Sequence, residues 1–199
     1  EGLVGSEMCI RDRNNNLDIL AKYDKNNLVP FGEFLPFENF LSKLGLKKIT
    51  QGYNSFSDSF ERKFISDGKY KFLPLICYEI IYTGKLNKKF KDFDYIVNIS
   101  EDGWFGNNIG PEQHFSHSIF RAIEEGKNLY RSSNNGISAH INPVGKIEDK
   151  IKSTQSGVIE VKNVKFIKKT IFSKQGNKIF FYFLLIYITF AFFLKRKDL

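Results

Sequence analysis

The sequence predicts an α/β domain followed by one C-terminal transmembrane helix. Short apolar runs alternate with turn residues over most of the chain, and one amphipathic helical segment lies between them. The chain then ends in a long apolar stretch. Its 199 residues and 42% hydrophobic content suffice for one packed domain, so a disordered chain is excluded.

Four short apolar segments are predicted as strands. Residues 72–76 (FLPLI) and 95–99 (YIVNI) are typical of buried strands, and each is followed by polar residues. Residues 137–141 and 157–161 are predicted as two further strands, with the turn 142–145 (NPVG) between them. Together these segments account for the sheet of the α/β domain.

One segment, residues 114–130, has the pattern of an amphipathic helix. Its apolar residues fall near one side, with charged residues interspersed. The apolar positions are Phe115, Ile119, Ala122, Ile123 and Leu129. A helix between strands is what an α/β domain requires.

The apolar tail, residues 179–194 (IFFYFLLIYITFAFFL), carries no charge and is flanked by Lys178 and by residues 195–197 (KRK). We predict a transmembrane helix over 178–195 and a cytoplasmic tail over 196–199. The domain before it would then lie outside the cytoplasm. The alternative is a buried core helix, which would normally show a polar face.

The net charge of +8 and the pI of about 9.3 leave two partner classes open, nucleic acid and an anionic membrane surface. The lysines are scattered along the chain and recur beside the apolar tail. This distribution favours a membrane surface, so no nucleic-acid partner is expected.

The N-terminal string LVGSEMCIRDR, residues 3–13, resembles the translation of a transposase-type sequencing adapter. We therefore assign residues 1–13 to an artefact and residues 14–172 to the C-terminal portion of a catalytic domain, and expect the gene to extend further upstream. Cys77 is then the only native cysteine, which excludes an intramolecular disulfide. The alternative is a natural strand or helix start.

Cys77 directly follows the predicted strand 72–76, where a buried strand gives way to a helix or loop. A thiol at such a turn is held rigidly, and N–H groups at a following helix start can lower its pKa and stabilise an oxyanion. Cys77 is therefore a candidate nucleophile. The alternative is a small buried hydrophobic residue.

Six blocks occur in the order of a known family and are spread over nearly all of 14–145. They are residues 23–36 (YDKNNLVPFGEFLP), 76–79 (ICYE), 102–106 (DGWFG), 110–115 (GPEQHF), 121–124 (RAIE) and 131–138 (RSSNNGIS). With the apolar tail, these blocks resemble the nitrilase superfamily and, within it, the apolipoprotein N-acyltransferases. The resemblance implies a four-layer αββα sandwich, N-terminally truncated here.

The resemblance also implies roles for six residues. Cys77 would be the nucleophile, and Lys25 would stabilise the tetrahedral intermediate. Glu33 would be catalytic and would orient Lys25, while Glu79 would support the backbone near the thiol. Tyr78 and Trp104 would line or gate a lipid cleft. The alternatives are surface charge for Lys25, surface charge or a helix cap for the glutamates, and core packing for the aromatic residues.

The implied reaction takes an acyl chain from a phospholipid donor as a cysteine thioester and passes it to the N-terminal amine of a diacylglyceryl-cysteine lipoprotein. The implied location is the bacterial inner membrane, multi-pass in the full-length protein, with the catalytic domain on the periplasmic side. Two alternatives stay open, a membrane-tethered amidase that transfers the acyl group to water and a non-catalytic membrane-anchored binding module.

Four further details bear on the resemblance. The general-base glutamate of the family lies upstream of the lysine block, and no candidate precedes Lys25, so this chain by itself is expected to be inactive. Glu101 stands where the family often has asparagine. His114, His117 and His140 could indicate zinc, and His114 and His117 have the spacing of two ligands on one helix. No third ligand is evident beside that pair, so no metal or cofactor is expected. For Arg131, phosphate binding is the alternative to the internal ion pair that we predict.

Overall fold

The computed structural model describes residues 9–13, 16–47, 62–66, 69–84, 86, 92–106, 108–162 and 164–197. The strands are β1 (Cys9–Arg13), β2 (Ile19–Asp24), β3 (Ile65–Ser66), β4 (Lys71–Ile76), β5 (Tyr95–Glu101), β6 (Asn128–Asn134), β7 (Ser138–Ile141) and β8 (Ile147–Ile151). The helices are α1 (Glu38–Leu41), α2 (Gly110–Glu125), α3 (Ile171–Gln175) and α4 (Lys178–Lys197), with short 3-10 turns at Ser42–Leu44, Cys77–Ile81 and Gly103–Phe105.

The main sheet has six strands in the order β3-β4-β5-β6-β7-β8. Its centre, β4 to β6, is parallel, whereas β3, β7 and β8 are antiparallel to their neighbours. The carboxyl ends of β4 and β5 therefore lie at one edge of the sheet, where side chains from separate parts of the sequence meet. Cys77 follows β4 and Asp102 follows β5 at this edge.

The principal core lies between the sheet and α2. Leu73 and Leu75 of β4, Ile96 of β5 and Leu129 of β6 are completely buried on one face, against Ala122 of α2. A separate antiparallel hairpin, β1-β2, covers part of the other face. Helix, main sheet and hairpin thus form successive layers, and the hairpin is what brings the Lys25 segment to the sheet.

The predicted strands 72–76, 95–99 and 137–141 are confirmed as β4, β5 and β7. The helix predicted over 114–130 is real but shifted, because α2 ends at Glu125 and Leu129 belongs to β6. Gly126 ends the helix in a left-handed conformation (φ +63), and its N–H bonds back to the carbonyls of Ala122 and Ile123. The end of the helix at this C-cap glycine was not predicted from the sequence.

The predicted strand 157–161 is wrong. The strand that pairs with β7 is β8, which returns directly after the turn at 142–145. Ile159 and Val161 are nonetheless half-buried between exposed neighbours, and they line a cleft with Tyr130 and Ala139 of the sheet. This segment therefore lies against the sheet without pairing, although its half-buried side chains alternate as they would in a strand.

The apolar tail forms α4, and its window Lys178–Lys195 is long and apolar enough to cross a membrane. None of that window is buried against the residues that the structure describes. Within this part of the chain, the alternative of a buried core helix is wrong.

The segment assigned to an adapter contains β1, whose residues Cys9–Arg13 pair with β2. Ile10 packs against the cluster around Tyr23 and Ile76. The artefact assignment of residues 1–13 and the domain boundaries at 14–172, 178–195 and 196–199 stay predictions.

Candidate active site

Cys77 begins the 3-10 turn that follows β4, and its backbone is in the left-handed region with φ +48. That conformation costs a non-glycine residue about 1–2 kcal/mol, so the surrounding contacts must hold it in place. The side chain is half-buried and carries no disulfide. The turn thus presents the thiol in a fixed direction at the carboxyl edge of the sheet, the position expected of a nucleophile.

Glu79, two residues further on, is completely buried and fastens two chain segments together. One carboxylate oxygen accepts the backbone N–H groups of Asn26 (2.9 Å) and Asn27 (3.1 Å). The other oxygen accepts the N–H of Ile76 (2.8 Å), at the end of β4. The Tyr23 hydroxyl lies 2.9 Å from both oxygens. The carboxylate therefore ties the segment that contains Lys25 to the turn that contains Cys77.

Arg62 also contacts this carboxylate, and Tyr23 contacts it as a protonated phenol. The Arg62 Nη2 atom lies 3.3 Å from Glu79 and donates to the Asn27 side-chain oxygen at 2.9 Å. Burial raises the pKa of the Tyr23 phenol well above its ordinary value, and the nearby charge of Glu79 raises it further. The phenol therefore stays protonated and acts as a donor to Glu79.

Lys25 and Glu33 form an ion pair on the chain segment that Glu79 binds. The Lys25 Nζ atom lies 2.5 Å from Glu33 Oε1, and the lysine side chain is 1% exposed. The second Glu33 oxygen accepts the backbone N–H of Val29 at 2.8 Å, so this carboxylate also orders the loop that follows Lys25. Surface charge is therefore the wrong interpretation for Lys25 and for Glu33, whose side chain is 16% exposed.

The structure brings four of the predicted residues to one region. Lys25 lies between Tyr23 and Asn26, both of which bond to Glu79, and Glu79 is on the same short turn as Cys77. Glu33 reaches the region through Lys25. Two cations and two carboxylates meet here. The Lys25 ammonium lies on the chain segment that Glu79 ties to the Cys77 turn, and a fixed cation is the kind of group that stabilises an oxyanion.

The two aromatic residues predicted to line a cleft differ in their surroundings. The Tyr78 ring is half-buried and packs edge-to-face on Tyr82 at 5.6 Å. The Trp104 side chain is 56% exposed, on the short turn after β5, so core packing is wrong for it. A contact of either ring with lipid stays a prediction.

Asp102, which precedes the Trp104 turn, lies in a second buried ionic network. Its carboxylate receives two hydrogen bonds from Arg131 Nη2 (2.7 and 3.0 Å), one from Ser100 (2.7 Å) and one contact from His114 Nδ1 (2.8 Å). Burial alone would raise the pKa of Asp102, but the hydrogen bond from His114 and the charge of Arg131 together hold it well below its usual range. The predicted internal ion pair of Arg131 is confirmed.

Glu101, the departure from the family pattern, helps to fix the same turn. Its carboxylate accepts the backbone N–H of Gly103 at 2.7 Å and contacts the side chains of Asn134 and Asn135. The substitution thus keeps a hydrogen-bonding role beside Trp104. No group of three possible His, Cys, Asp or Glu metal ligands occurs among the described residues.

The sequence analysis did not single out Tyr23 or Arg62 as site residues. Tyr23 lies inside the lysine block, where its place on a strand that alternates towards the core could have indicated it. Arg62 lies outside every recognised block, and no local pattern identifies an arginine whose partner is seventeen positions away.

Comparisons with known proteins identify the family of the chain. The family described as carbon-nitrogen hydrolase matches residues 3–163. Among curated proteins, an apolipoprotein N-acyltransferase of Bradyrhizobium diazoefficiens is 40% identical over 80% of this chain and 30% of its own length. Those of Wigglesworthia glossinidia brevipalpis and Rickettsia prowazekii are each 39% identical, over 88% and 86% of this chain. The chain spans 36% and 34% of their lengths.

Among solved structures, an amidase from Nesterenkonia sp. is similar with a TM-score of 0.50 at 15% identity, covering 73% of this chain and 51% of that one. At this identity the likeness concerns the fold alone. With the family match, it confirms the predicted nitrilase-superfamily fold.

Proposed function

The chain belongs to the carbon-nitrogen hydrolase family, and on that premise we propose that its full-length parent is a lipoprotein N-acyltransferase. The acyl chain would pass from a phospholipid to Cys77 and then to the N-terminal amine of a diacylglyceryl-cysteine lipoprotein. The observation that carries the proposal is the Glu79 carboxylate, which holds the Lys25 segment against the Cys77 turn. The curated N-acyltransferases at about 40% identity support the transferase over other reactions of the family.

In the first step the Cys77 thiolate attacks an ester carbonyl of the phospholipid. A carbon–sulfur bond forms and the bond to the glycerol oxygen breaks, so that a lysophospholipid leaves with the proton removed from the thiol. Lys25, held by Glu33, would stabilise the negative oxygen of the tetrahedral intermediate. The general base that moves the proton would be a glutamate of the parent, upstream of Lys25.

In the second step the α-amine of the lipoprotein attacks the thioester. An amide bond forms, the carbon–sulfur bond breaks, and the thiol regains its proton. A thioester suits this transfer because amines attack it readily, while the fatty chain can remain in the bilayer. Helix α4 would keep the catalytic domain at the membrane surface, and the exposed Trp104 and half-buried Tyr78 would contact the lipid.

The proposed location is the bacterial inner membrane, with the catalytic domain on the periplasmic side. The apolar helix α4 supports this location, and the relatives named apolipoprotein N-acyltransferase support a lipoprotein substrate. Phospholipid and lipoprotein are accordingly the proposed partners.

The experiment is to incubate the parent with a phospholipid that carries a labelled acyl chain. We expect a labelled thioester on Cys77 that hydroxylamine cleaves, and none in the Cys77→Ala variant. We expect the 199-residue chain alone to form no adduct, because general acid-base catalysis contributes about 10²–10⁴-fold and the proposed base would be a glutamate upstream of Lys25.

Three outcomes would contradict parts of this proposal. A parent that forms no thioester would contradict the proposed reaction. A parent that releases labelled free fatty acid in the presence of an acceptor peptide would be an amidase-like hydrolase. Parent-like acylation by the 199-residue chain would mean that Glu33 or another carboxylate of this chain serves as the base.

A further inference from the structure

Arg62 is the one cation that the described residues place within ion-pair distance of the buried Glu79. The guanidinium side chain is 10% exposed and the Glu79 side chain 0%. Arg62 belongs to none of the blocks that carry the family resemblance, and it lies at the start of the segment that enters β3. Its proximity to the active site is a product of the tertiary structure.

The hydrogen bonds at Glu79 show which form of the side chain the site accommodates. Among the described residues, four partners of its two oxygens can only donate, namely three backbone N–H groups and the Arg62 guanidinium. The fifth partner, the Tyr23 hydroxyl, can donate or accept. Protonation of the carboxyl group would weaken the bonds from these four donors, one of which is a cation. The arrangement therefore fits the carboxylate anion.

A buried anion is stable only if a nearby cation compensates its charge. Lys25 lies 2.5 Å from a different carboxylate, that of Glu33. Neutral donors such as Tyr23 and the backbone amides stabilise the anion but do not balance its charge. The compensating charge at Glu79 therefore comes from Arg62.

We infer that Arg62 is a positioning residue, whose charge holds Glu79 as the anion that fastens the Lys25 segment to the Cys77 turn. In this role Arg62 acts through Glu79. The inference rests on the proposed acyl transfer, because the alignment of Lys25 with Cys77 matters only if the thiol is acylated.

The geometry of Arg62 also indicates what can replace it. Its Nη2 atom makes the bonds to Glu79 and Asn27, whereas its buried Nη1 atom has no hydrogen-bond partner among the described residues. The site thus uses the charge and one end of the guanidinium. A lysine should supply the charge in part, whereas a glutamine should not.

The kinetic test uses single-turnover acylation of the full-length parent by labelled phospholipid. Arg62→Gln should slow thioester formation about 100-fold with the final amount of adduct and the half-saturating lipid concentration unchanged, since a displacement of about 1 Å has effects of this size. Arg62→Lys should stay within about tenfold of the parent. Lys146→Gln, which removes a charge from an exposed pair, is the matched control and should leave the rate unchanged.

The kinetic outcomes separate positioning from folding. A lower amount of adduct with an unchanged rate constant would mean that Arg62 serves folding only, and the inference would be wrong. A parent-like rate for Arg62→Gln would also overturn it. If the unaltered parent forms no thioester, the proposed function fails, and the inference is decided by thermal unfolding alone.

The unfolding test combines Arg62→Gln with Glu79→Gln. If Arg62 compensates the charge of Glu79, Glu79→Gln should lower Tm by at least about 2 °C less in the Arg62→Gln background than in the parent. Equal effects in both backgrounds would overturn the inference. Should Arg62→Gln fail to fold, recovery of folding in the double variant supports the inference, and failure of both variants contradicts it.

Discussion

Two buried ionic clusters lie at the carboxyl edge of the same parallel strands and differ in what their charges hold. The Cys77 cluster comprises Lys25, Glu33, Arg62 and Glu79, and its carboxylates accept backbone N–H groups as well as cations. The Trp104 cluster comprises Asp102, His114 and Arg131, and Asp102 is bonded mainly to side chains of α2 and β6.

The difference indicates a division of roles, in which the Cys77 cluster sets active-site geometry and the Trp104 cluster stabilises the sheet. In the Cys77 cluster the carboxylates shape loops, so a lost charge should first displace reacting groups. In the Trp104 cluster the Asp102 and Arg131 side chains are both 0% exposed and join β5 to β6, so a lost charge should first destabilise the sheet. The following predictions test this contrast.

The largest effect on stability is expected from Asp102→Ala. The change leaves the Arg131 guanidinium buried without its carboxylate, and removal of one partner of such a pair costs about 3–5 kcal/mol. Denaturant unfolding of the parent and of the Asp102→Ala variant measures this loss of stability. Glu160→Gln, in an exposed pair with Lys162, is the control and should leave the transition in place. A loss below about 1 kcal/mol for Asp102→Ala would remove the contrast between the clusters.

Glu33→Gln should reduce the rate of thioester formation more than it reduces stability. The amide oxygen can still accept a hydrogen bond from Lys25, so we expect a stability loss of about 1–2 kcal/mol. The rate of thioester formation should fall by at least about tenfold, because the ammonium is no longer held by a charge. Single-turnover acylation and thermal unfolding of the same preparation give both quantities. A large loss of stability with a parent-like rate would reverse the proposed division.

The Trp104 cluster also predicts acid sensitivity. The pKa of Asp102 is lower in the folded protein than in the unfolded chain, so the unfolded state binds the proton more readily. The stabilisation is therefore complete above the ordinary carboxyl pKa, about 4, and is lost as the pH falls towards the folded value. Tm measured from pH 6 to pH 2 should fall less steeply for Asp102→Asn than for the parent. Parallel curves would contradict this origin of the acid sensitivity.

The smallest effect is expected at Glu125, a buried carboxylate that has no ion pair among the described contacts. Burial raises its pKa to about 7, although the Ser173 hydroxyl donates to it. The folded state then holds the proton more tightly, so stability declines as the pH rises from about 4.5 to about 7. Glu125→Gln should raise Tm by about 2–4 °C at pH 8 and by little at pH 5. An equal shift at both values would point to packing as its cause.

Local pattern was a good guide wherever the structure is set by neighbours in sequence. Strands β4, β5 and β7 and the apolar helix α4 follow from apolar runs and their bounding residues. Strands β6 and β8 were not predicted. Both contain several polar or charged residues, and Gly126 and the turn at 142–145 place them in the sheet.

The candidate site divides in the same way. The ordered blocks identified Cys77, Lys25, Glu33 and Glu79 from sequence alone, because a family motif preserves residue types at fixed spacing. Their roles in catalysis are still predictions. The resemblance implied that Glu33 orients Lys25, but the partners of Glu79 could not be predicted, since Asn26 and Asn27 lie more than fifty positions away in the sequence.

The sequence by itself determined the fold class, the apolar tail and the position of the thiol after a buried strand, because these depend on local periodicity and turn residues. Only the tertiary structure decided that residues 157–161 pack without pairing, that Trp104 is exposed, and that Arg62 compensates Glu79. The reason is physical: a buried charge must find its counter-charge within a few ångströms of space, wherever along the chain that group lies.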